Sequence, residues 1–141
     1  MNSPLRLLLA TLVLALWTFP AHAGVPEPDN LLYGSITLDN VPVNAARTDV
    51  VIEARRTING PAIARYRMGS SPALGNLYLL RLQLESGTPL ADPNASQRND
   101  TVVIVVTDGS GLRAQTTYLI PERGVAQRVD FGAAVVDSDG D

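Results

Sequence analysis

A two-residue alternation of apolar and polar side chains, repeated in short segments, is the feature that most constrains the fold of this chain. In residues 77–85, one face carries Tyr78, Leu80, Leu82 and Leu84, and the other carries Arg81, Gln83 and Glu85. Successive side chains of a strand point to opposite faces, so this period predicts strands with one buried face. Residues 101–107 (TVVIVVT) are β-branched and apolar on both faces, which is typical of a central, covered strand. No segment keeps the 3.6-residue apolar stripe of a helix over the ~10 residues that a helix needs.

Turn residues separate these segments and set the predicted boundaries. Asn59-Gly60 is the strongest hairpin signal, because both residues tolerate a positive φ, and Asp39-Asn40 marks another turn. We therefore predict an all-β protein, a single antiparallel immunoglobulin-like β-sandwich of about seven or eight strands. Its expected parts are a Pro-rich lead at residues 24–30, the sandwich domain at 31–132 and an acidic tail at 133–141.

Residues 1–23 contain the three parts of a cleavable secretory signal. Arg6 provides the positive start, residues 7–19 (LLLATLVLALWTF) the apolar middle, and Ala21-His22-Ala23 the small residues that signal peptidase accepts. The apolar run is shorter than the ~20 residues of a membrane-spanning helix, and no second such run supports the alternative of a membrane anchor. We expect a mature protein that is secreted, periplasmic or at the cell surface, with no membrane span.

Several strand-like segments follow one another in an order known from one family of sandwich modules. They are residues 32–36 (LYGSI), 41–43 (VPV), 50–54 (VVIEA), 64–69 (ARYRMG) and 75–80 (GNLYLL). This series, from residue 31 to about residue 131, resembles the carboxypeptidase-regulatory-like, transthyretin-type β-sandwich. The family's Thr-Asp-x-x-Gly turn is replaced by residues 70–74 (SSPAL). The resemblance implies a non-catalytic spacer, adhesion unit or accessory binding domain, and fold alone does not choose among these.

The residue types that remain after the signal restrict the chemistry of the mature protein. The only histidine is His22, the chain has no cysteine, and all 11 basic residues are arginine. Ser-His-Asp and Cys-His catalysis, lysine Schiff bases and lysine-containing phosphate loops are thereby excluded, and a zinc site is disfavoured. A formal net charge of −3 at pH 7 also argues against a nucleic-acid partner, which requires a basic stripe.

Carboxylates offer the one enzymatic route that these residues leave open. A glycosidase needs two acids about 5 to 9.5 Å apart, with one of them tuned to act as the acid. Glu53 and Glu85 occupy alternate strand positions that are predicted to face solvent and to pair with arginines. We therefore predict a protein that is not an enzyme and that needs no cofactor.

Outward-facing side chains supply the candidate ligand-binding residues. Arg65, Arg67 and Arg81 fall on outward positions of two consecutive predicted strands. One hypothesis is an anion-binding patch for acidic glycans or a partner protein, and the alternative is a solvated strand face with surface ion pairs. Tyr33 also faces outward and offers one ring for a sugar, although single exposed aromatic residues are ordinary on protein surfaces.

The last residues, 137–141 (DSDGD), resemble the start of the calcium loops of thrombospondin type-3 repeats and dockerins. Asp137, Asp139 and Asp141 match loop positions one, three and five, and Ca²⁺ prefers oxygen ligands. The glycine of position six and the glutamate of position twelve are not in this chain. We expect either a piece of a longer calcium-repeat protein or an acidic solvated tail.

Residues 86–100 (SGTPLADPNASQRND) lack periodicity, and a loop of this length is predicted to be either functional or a mobile surface segment. The preferred function is a non-catalytic extracytoplasmic interaction or spacer module with a protein or glycan partner at the cell surface. One alternative is a surface adhesin or ligand-binding domain that uses this loop or the arginine face. Another is a surface-fibre subunit whose exposed strand edge accepts a neighbour's strand.

Overall fold

The computed structural model describes residues 25–132, which fold into nine strands and one 3-10 turn (Pro72–Leu74) without an α-helix. The strands are β1 (Val25–Gly34), β2 (Thr37–Leu38), β3 (Val41–Pro42), β4 (Val51–Arg55), β5 (Ala62–Arg67), β6 (Tyr78–Ser86), β7 (Thr101–Asp108), β8 (Gly111–Leu119) and β9 (Ala126–Arg128). The all-β prediction is confirmed for this part of the chain. The signal at residues 1–23 and the tail at 133–141 lie outside the described residues.

The larger sheet has four strands in the order β5-β4-β7-β8, and every neighbouring pair is antiparallel. Strand β7 lies between β4 and β8, and its residues Val102, Ile104, Val105 and Val106 are buried. On its outer face Val105 is buried, Val103 and Thr107 are partly buried, and Thr101 is exposed. The predicted central position of residues 101–107 is confirmed, whereas the outer face is fully covered only at Val105.

The second sheet has three strands in the order β6-β1-β9 and is not purely antiparallel. Strands β1 and β6 are antiparallel, whereas β9 runs parallel to β1 with Leu31 opposite Ala126 and Tyr33 opposite Arg128. The chain leaves β8 in the other sheet and crosses over, so β9 arrives beside β1 in the same direction. This pairing corrects the prediction of an antiparallel arrangement throughout.

Strand β1 begins at Val25, so residues 25–30 of the proline-rich lead belong to the three-stranded sheet. Val25 pairs with Ser86, and a register shift between Glu27 and Asn30 accommodates the segment that contains Pro28. Strand β9 pairs only with residues 31–33 of β1. The first half of β1 has no paired strand on that side, where Gly124 N donates to Pro28 O at 3.1 Å, so a proline there costs no ladder hydrogen bond.

Alternate side chains of both sheets meet in one apolar core. Its largest fully buried members include Leu32, Ile52, Leu80, Leu82 and Ile104. Burial of each such side chain contributes about 1.5–3 kcal/mol. The ring of Tyr78 packs against that of Phe131 with centroids 6.1 Å apart. The inward faces predicted from the alternation are thus confirmed in both sheets.

Strands β2 and β3 form a small hairpin beside this core, with Thr37 opposite Pro42. Asp39 and Asn40 have φ values of 53° and 64°, which makes the predicted turn a hairpin turn of the kind these residues favour. Across residues 25–132, no helix is long and apolar enough to cross a membrane.

Candidate functional site

The three candidate arginines do not form one patch. Arg65 and Arg67 lie on β5 in the four-stranded sheet, whereas Arg81 lies on β6 in the three-stranded sheet. Each alternates with core residues, Tyr66 on β5 and Leu80 on β6, and so points away from the core. Consecutive strands of the chain belong here to different sheets, and the arginines face opposite sides of the molecule.

Glu53 lies at the centre of the outer face of the four-stranded sheet, and its burial corrects the prediction that it is solvated. It is only 8% exposed. The guanidinium of Arg55 lies 2.5 Å from its carboxylate, and that of Arg65 lies 3.5 Å away. The long arginine side chains shield Glu53 from water while pairing with its charge. Arg67 instead donates a hydrogen bond of 3.0 Å to the Thr48 carbonyl oxygen.

Arg81 and Tyr33 share the outer face of the three-stranded sheet. Leu31 pairs with Arg81 and Tyr33 with Leu79 across β1 and β6. The side chain of Arg81 is 73% exposed, and its Nε lies 2.6 Å from a carboxylate oxygen of Asp29. Tyr33 is half-buried. Of the predicted ligand-binding residues, Arg81 and Tyr33 therefore share one face, beside Leu31 and Leu79.

A cleft of about 170 Å³ opens where the β1–β6 pair meets loop 86–100. We call it the acidic cleft and define it by Glu27, Asp29, Gln83, Glu85 and Asp92, which line it. An adjoining depression of about 310 Å³ shares Glu27 and Glu85. Both depend on loop 86–100, which returns beside β6 and forms one wall.

The loop is held against β6 by backbone pairing. Ser96 N donates to Gln83 O at 2.9 Å, and Glu85 N donates to Ser96 O at 3.0 Å. Arg56 also donates to the carbonyl oxygens of Pro93 and Ala95. Ala95 and Ser96 are buried, so this part of the loop belongs to the folded structure.

Glu85 is buried at the base of the cleft, which corrects its predicted exposure. Its Oε2 accepts hydrogen bonds from Ala91 N at 2.8 Å and Asp92 N at 3.3 Å. Loop 86–100 folds over the strand end, so an outward strand position becomes shielded. Only the absence of periodicity in residues 86–100 signalled this in the sequence, because that absence predicted a functional or mobile segment.

Two of the other cleft carboxylates face arginines, whereas Asp92 accepts a hydrogen bond of 2.8 Å from Asn94 N. Glu27 lies 3.2 Å from Arg123, and Asp29 pairs with Arg81. The cleft thus combines hydrogen-bond acceptors with guanidinium donors at its margin. Such a set suits a polar ligand with many hydroxyl groups better than a simple cation.

A second charged cluster joins three turns at another part of the surface. Asp108 lies 2.7 Å from Arg113 and 3.6 Å from Arg47, and Arg113 also pairs with Asp39. A hydrogen bond from Arg47 lowers the pKa of Asp49. These contacts connect the turns around β2–β3, β3–β4 and β7–β8, so the cluster has a structural explanation.

Metal binding finds no support in residues 25–132, where no three acidic side chains are placed to hold an ion. The calcium candidates Asp137, Asp139 and Asp141 lie outside the described residues.

Searches against protein families, curated proteins and solved structures found no match to this chain.

Proposed function

We propose that this chain is a non-catalytic, exported interaction or spacer module with an immunoglobulin-like, transthyretin-type β-sandwich fold. The secretory features of residues 1–23 support export, and two sheets around one core support the fold. A secreted, periplasmic or cell-surface location suits both features.

The observation that carries the non-catalytic reading is the separation of the two candidate acids. Glu53 lies on the outer face of one sheet and Glu85 on the outer face of the other. The core lies between them, so they cannot flank one glycosidic bond. In the acidic cleft, Glu27 and Asp29 each already face an arginine, and Glu85 holds the backbone of the loop. Their arrangement favours binding over proton transfer.

A second candidate function, glycan binding, is favoured by the continuity of the cleft with Tyr33. Asp29 connects the acidic cleft with the Tyr33–Arg81 surface, because it lines the cleft and pairs with Arg81. Carboxylates, an amide and guanidinium groups hydrogen-bond sugar hydroxyls, while an aromatic ring packs on the apolar face of a sugar. This candidate gives the interaction module a ligand class.

One experiment tests both proposals, the non-catalytic module and glycan binding. The mature chain, residues 24–141, is applied to an oligosaccharide array, and mass spectrometry then looks for cleavage products. We expect binding without cleavage. Arg81→Gln should weaken it by about tenfold, because a hydrogen bond to a charged group is lost. Arg67→Gln is the matched control on the opposite face and should leave binding unchanged.

The outcomes separate the two candidates. Cleavage of any oligosaccharide would contradict the non-catalytic module. Equal weakening of binding by both arginine variants would show that the glycan contacts lie away from the cleft. If no oligosaccharide binds at all, the glycan-binding proposal is wrong, and the spacer function is the candidate that stays.

A further inference from the structure

Among residues 25–132, strand β8 forms an edge of the four-stranded sheet and has a hydrogen-bonded neighbour on one side only. Its partner is β7, in a register that runs from Thr101 opposite Leu119 to Asp108 opposite Gly111. At nine residues, β8 is a long edge. An edge strand presents unpaired backbone groups that another strand can pair with.

The hydrogen bonds at the end of β8 show which backbone groups point outward. Ile120 N donates to Asp100 O and Asn99 N donates to Ile120 O, both at 2.9 Å, so Ile120 faces the β7 side. Backbone direction alternates along an antiparallel strand. Gln115, Thr117 and Leu119 therefore direct their N–H and C=O groups away from the sheet.

Nothing in the central part of β8 blocks a partner strand. Residues 114–119 (AQTTYL) contain no charged residue and no proline, the devices that proteins commonly use to protect an edge. The other described edges are better protected. Strand β5 carries Arg65 and Arg67, β6 is bridged at Leu84 by Ser96, and β9 has only three residues.

Two exposed leucines make this edge complementary to itself. Leu112 is 54% exposed near one end of β8, and Leu119 is 58% exposed at the other end. In an antiparallel pair of two β8 strands, each Leu119 approaches the end of the partner strand that carries Leu112. Pairing of two β8 strands brings no unpaired like charges together at either end, because the guanidinium of Arg113 already pairs with Asp108 and Asp39.

We propose that β8 pairs antiparallel with β8 of a second copy of this chain, joining two four-stranded sheets into one continuous sheet. A two-fold axis relates the two strands, as in most homodimers. In the register centred on Thr116, Gln115 lies opposite Thr117 of the second copy, and Leu119 lies beside the bulge next to Leu112. The acidic cleft is on the other sheet, so self-pairing leaves it free for a ligand.

The first test measures the mass of the mature chain by light scattering across about 1 µM to 1 mM protein. We expect a dimer at the higher concentrations. Gln115→Lys should raise the dimer dissociation constant by about tenfold or more, since it brings like charges together at the paired edge. Gln127→Lys is the matched control, the same change at an exposed position of β9 in the other sheet, and should have no effect.

Three results would overturn self-pairing. One is a wild-type chain that stays monomeric over the whole range, which would leave β8 to a different partner. Another is equal weakening by the two lysine variants. The third is a ladder of longer polymers, because pairing about a two-fold axis closes at two copies.

The register has a separate readout, because the chain contains no cysteine. At a non-hydrogen-bonded antiparallel pair the Cα atoms are about 4.5 Å apart, within reach of a disulfide. Thr116→Cys should therefore give a covalent dimer on mild oxidation, and Ser86→Cys on β6 should not. Dimerisation without this cross-link would overturn the register centred on Thr116.

Discussion

Tyr78 is fully buried between the sheets, and its hydroxyl donates a hydrogen bond to the Val129 carbonyl oxygen. Burial raises the pKa of the Tyr78 hydroxyl well above its usual value, and the nearby Asp130 carboxylate adds to the effect. Burial also raises the pKa of Tyr118.

Stability should therefore fall as the pH rises above about 10, where an unfolded tyrosine loses its proton and Tyr78 in the fold cannot. The raised pKa contributes stability that is fully present below that pH. Tyr78→Phe should lower the free energy of unfolding by about 1 kcal/mol at neutral pH, because the Val129 carbonyl oxygen loses its donor. Between about pH 9 and 11, the free energy of unfolding of this variant should then fall less than that of the wild type. Urea unfolding at each pH measures this, and an unchanged alkaline slope would contradict it.

Loop 86–100 and strand β6 act as one element because the loop returns along the strand that it follows. The contacts of Glu85 with Ala91 and Asp92 hold the first half of the loop, and the pairing of Ser96 with β6 holds the second. Without the first set, residues 86–94 would have few hydrogen bonds to the rest of the fold. The wall of the acidic cleft depends on these contacts.

Glu85→Ala should therefore free the first half of the loop. Loss of hydrogen bonds to a charged acceptor costs about 1.5–3 kcal/mol, so amides of residues 86–94 should exchange with deuterium roughly tenfold to a hundredfold faster. Gln83→Ala, an exposed change on the same strand, is the control and should leave exchange unchanged. Equal exchange in the two variants would mean that the Ser96 pairing alone positions the loop.

The two sheets depend on each other through one core and four chain crossings. The chain changes sheet from β5 to β6, from β6 to β7 and from β8 to β9, and it also passes from β1 through the β2–β3 hairpin to β4. Phe131 closes the structure, since Phe131 N donates to Ser35 O at 3.0 Å and Thr37 N donates to Phe131 O at 2.9 Å. The first and last described segments are thus neighbours, and neither sheet has a core of its own.

Unfolding should accordingly be a single transition whichever sheet is altered. Val106→Ala in β7 should cost about 2–3 kcal/mol and Leu80→Ala in β6 about 2–5 kcal/mol, because both side chains are fully buried. Val41→Ala, at a position 62% exposed, should cost less than about 0.5 kcal/mol. Circular dichroism and tyrosine fluorescence should report the same midpoint in urea. Two separated transitions would show that the sheets unfold independently.

The sequence by itself determined the strands and the faces that they bury. The inward series of β6, the central strand β7 and the Asp39-Asn40 turn all follow from local periodicity and turn chemistry. These properties depend on neighbours along the chain, and so a single sequence contains them.

Only the tertiary structure decided which outward residues meet. Arg65 and Arg81 are on consecutive strands yet face opposite sides. Glu53 is buried beneath Arg55 and Arg65, and Glu85 is buried by the loop that follows it. Strand β9 pairs parallel to β1 for the same kind of reason, because the chain crosses between sheets. Alternation tells which side of a strand a residue occupies, but sheet membership and loop packing depend on contacts distant in sequence, which no local pattern encodes.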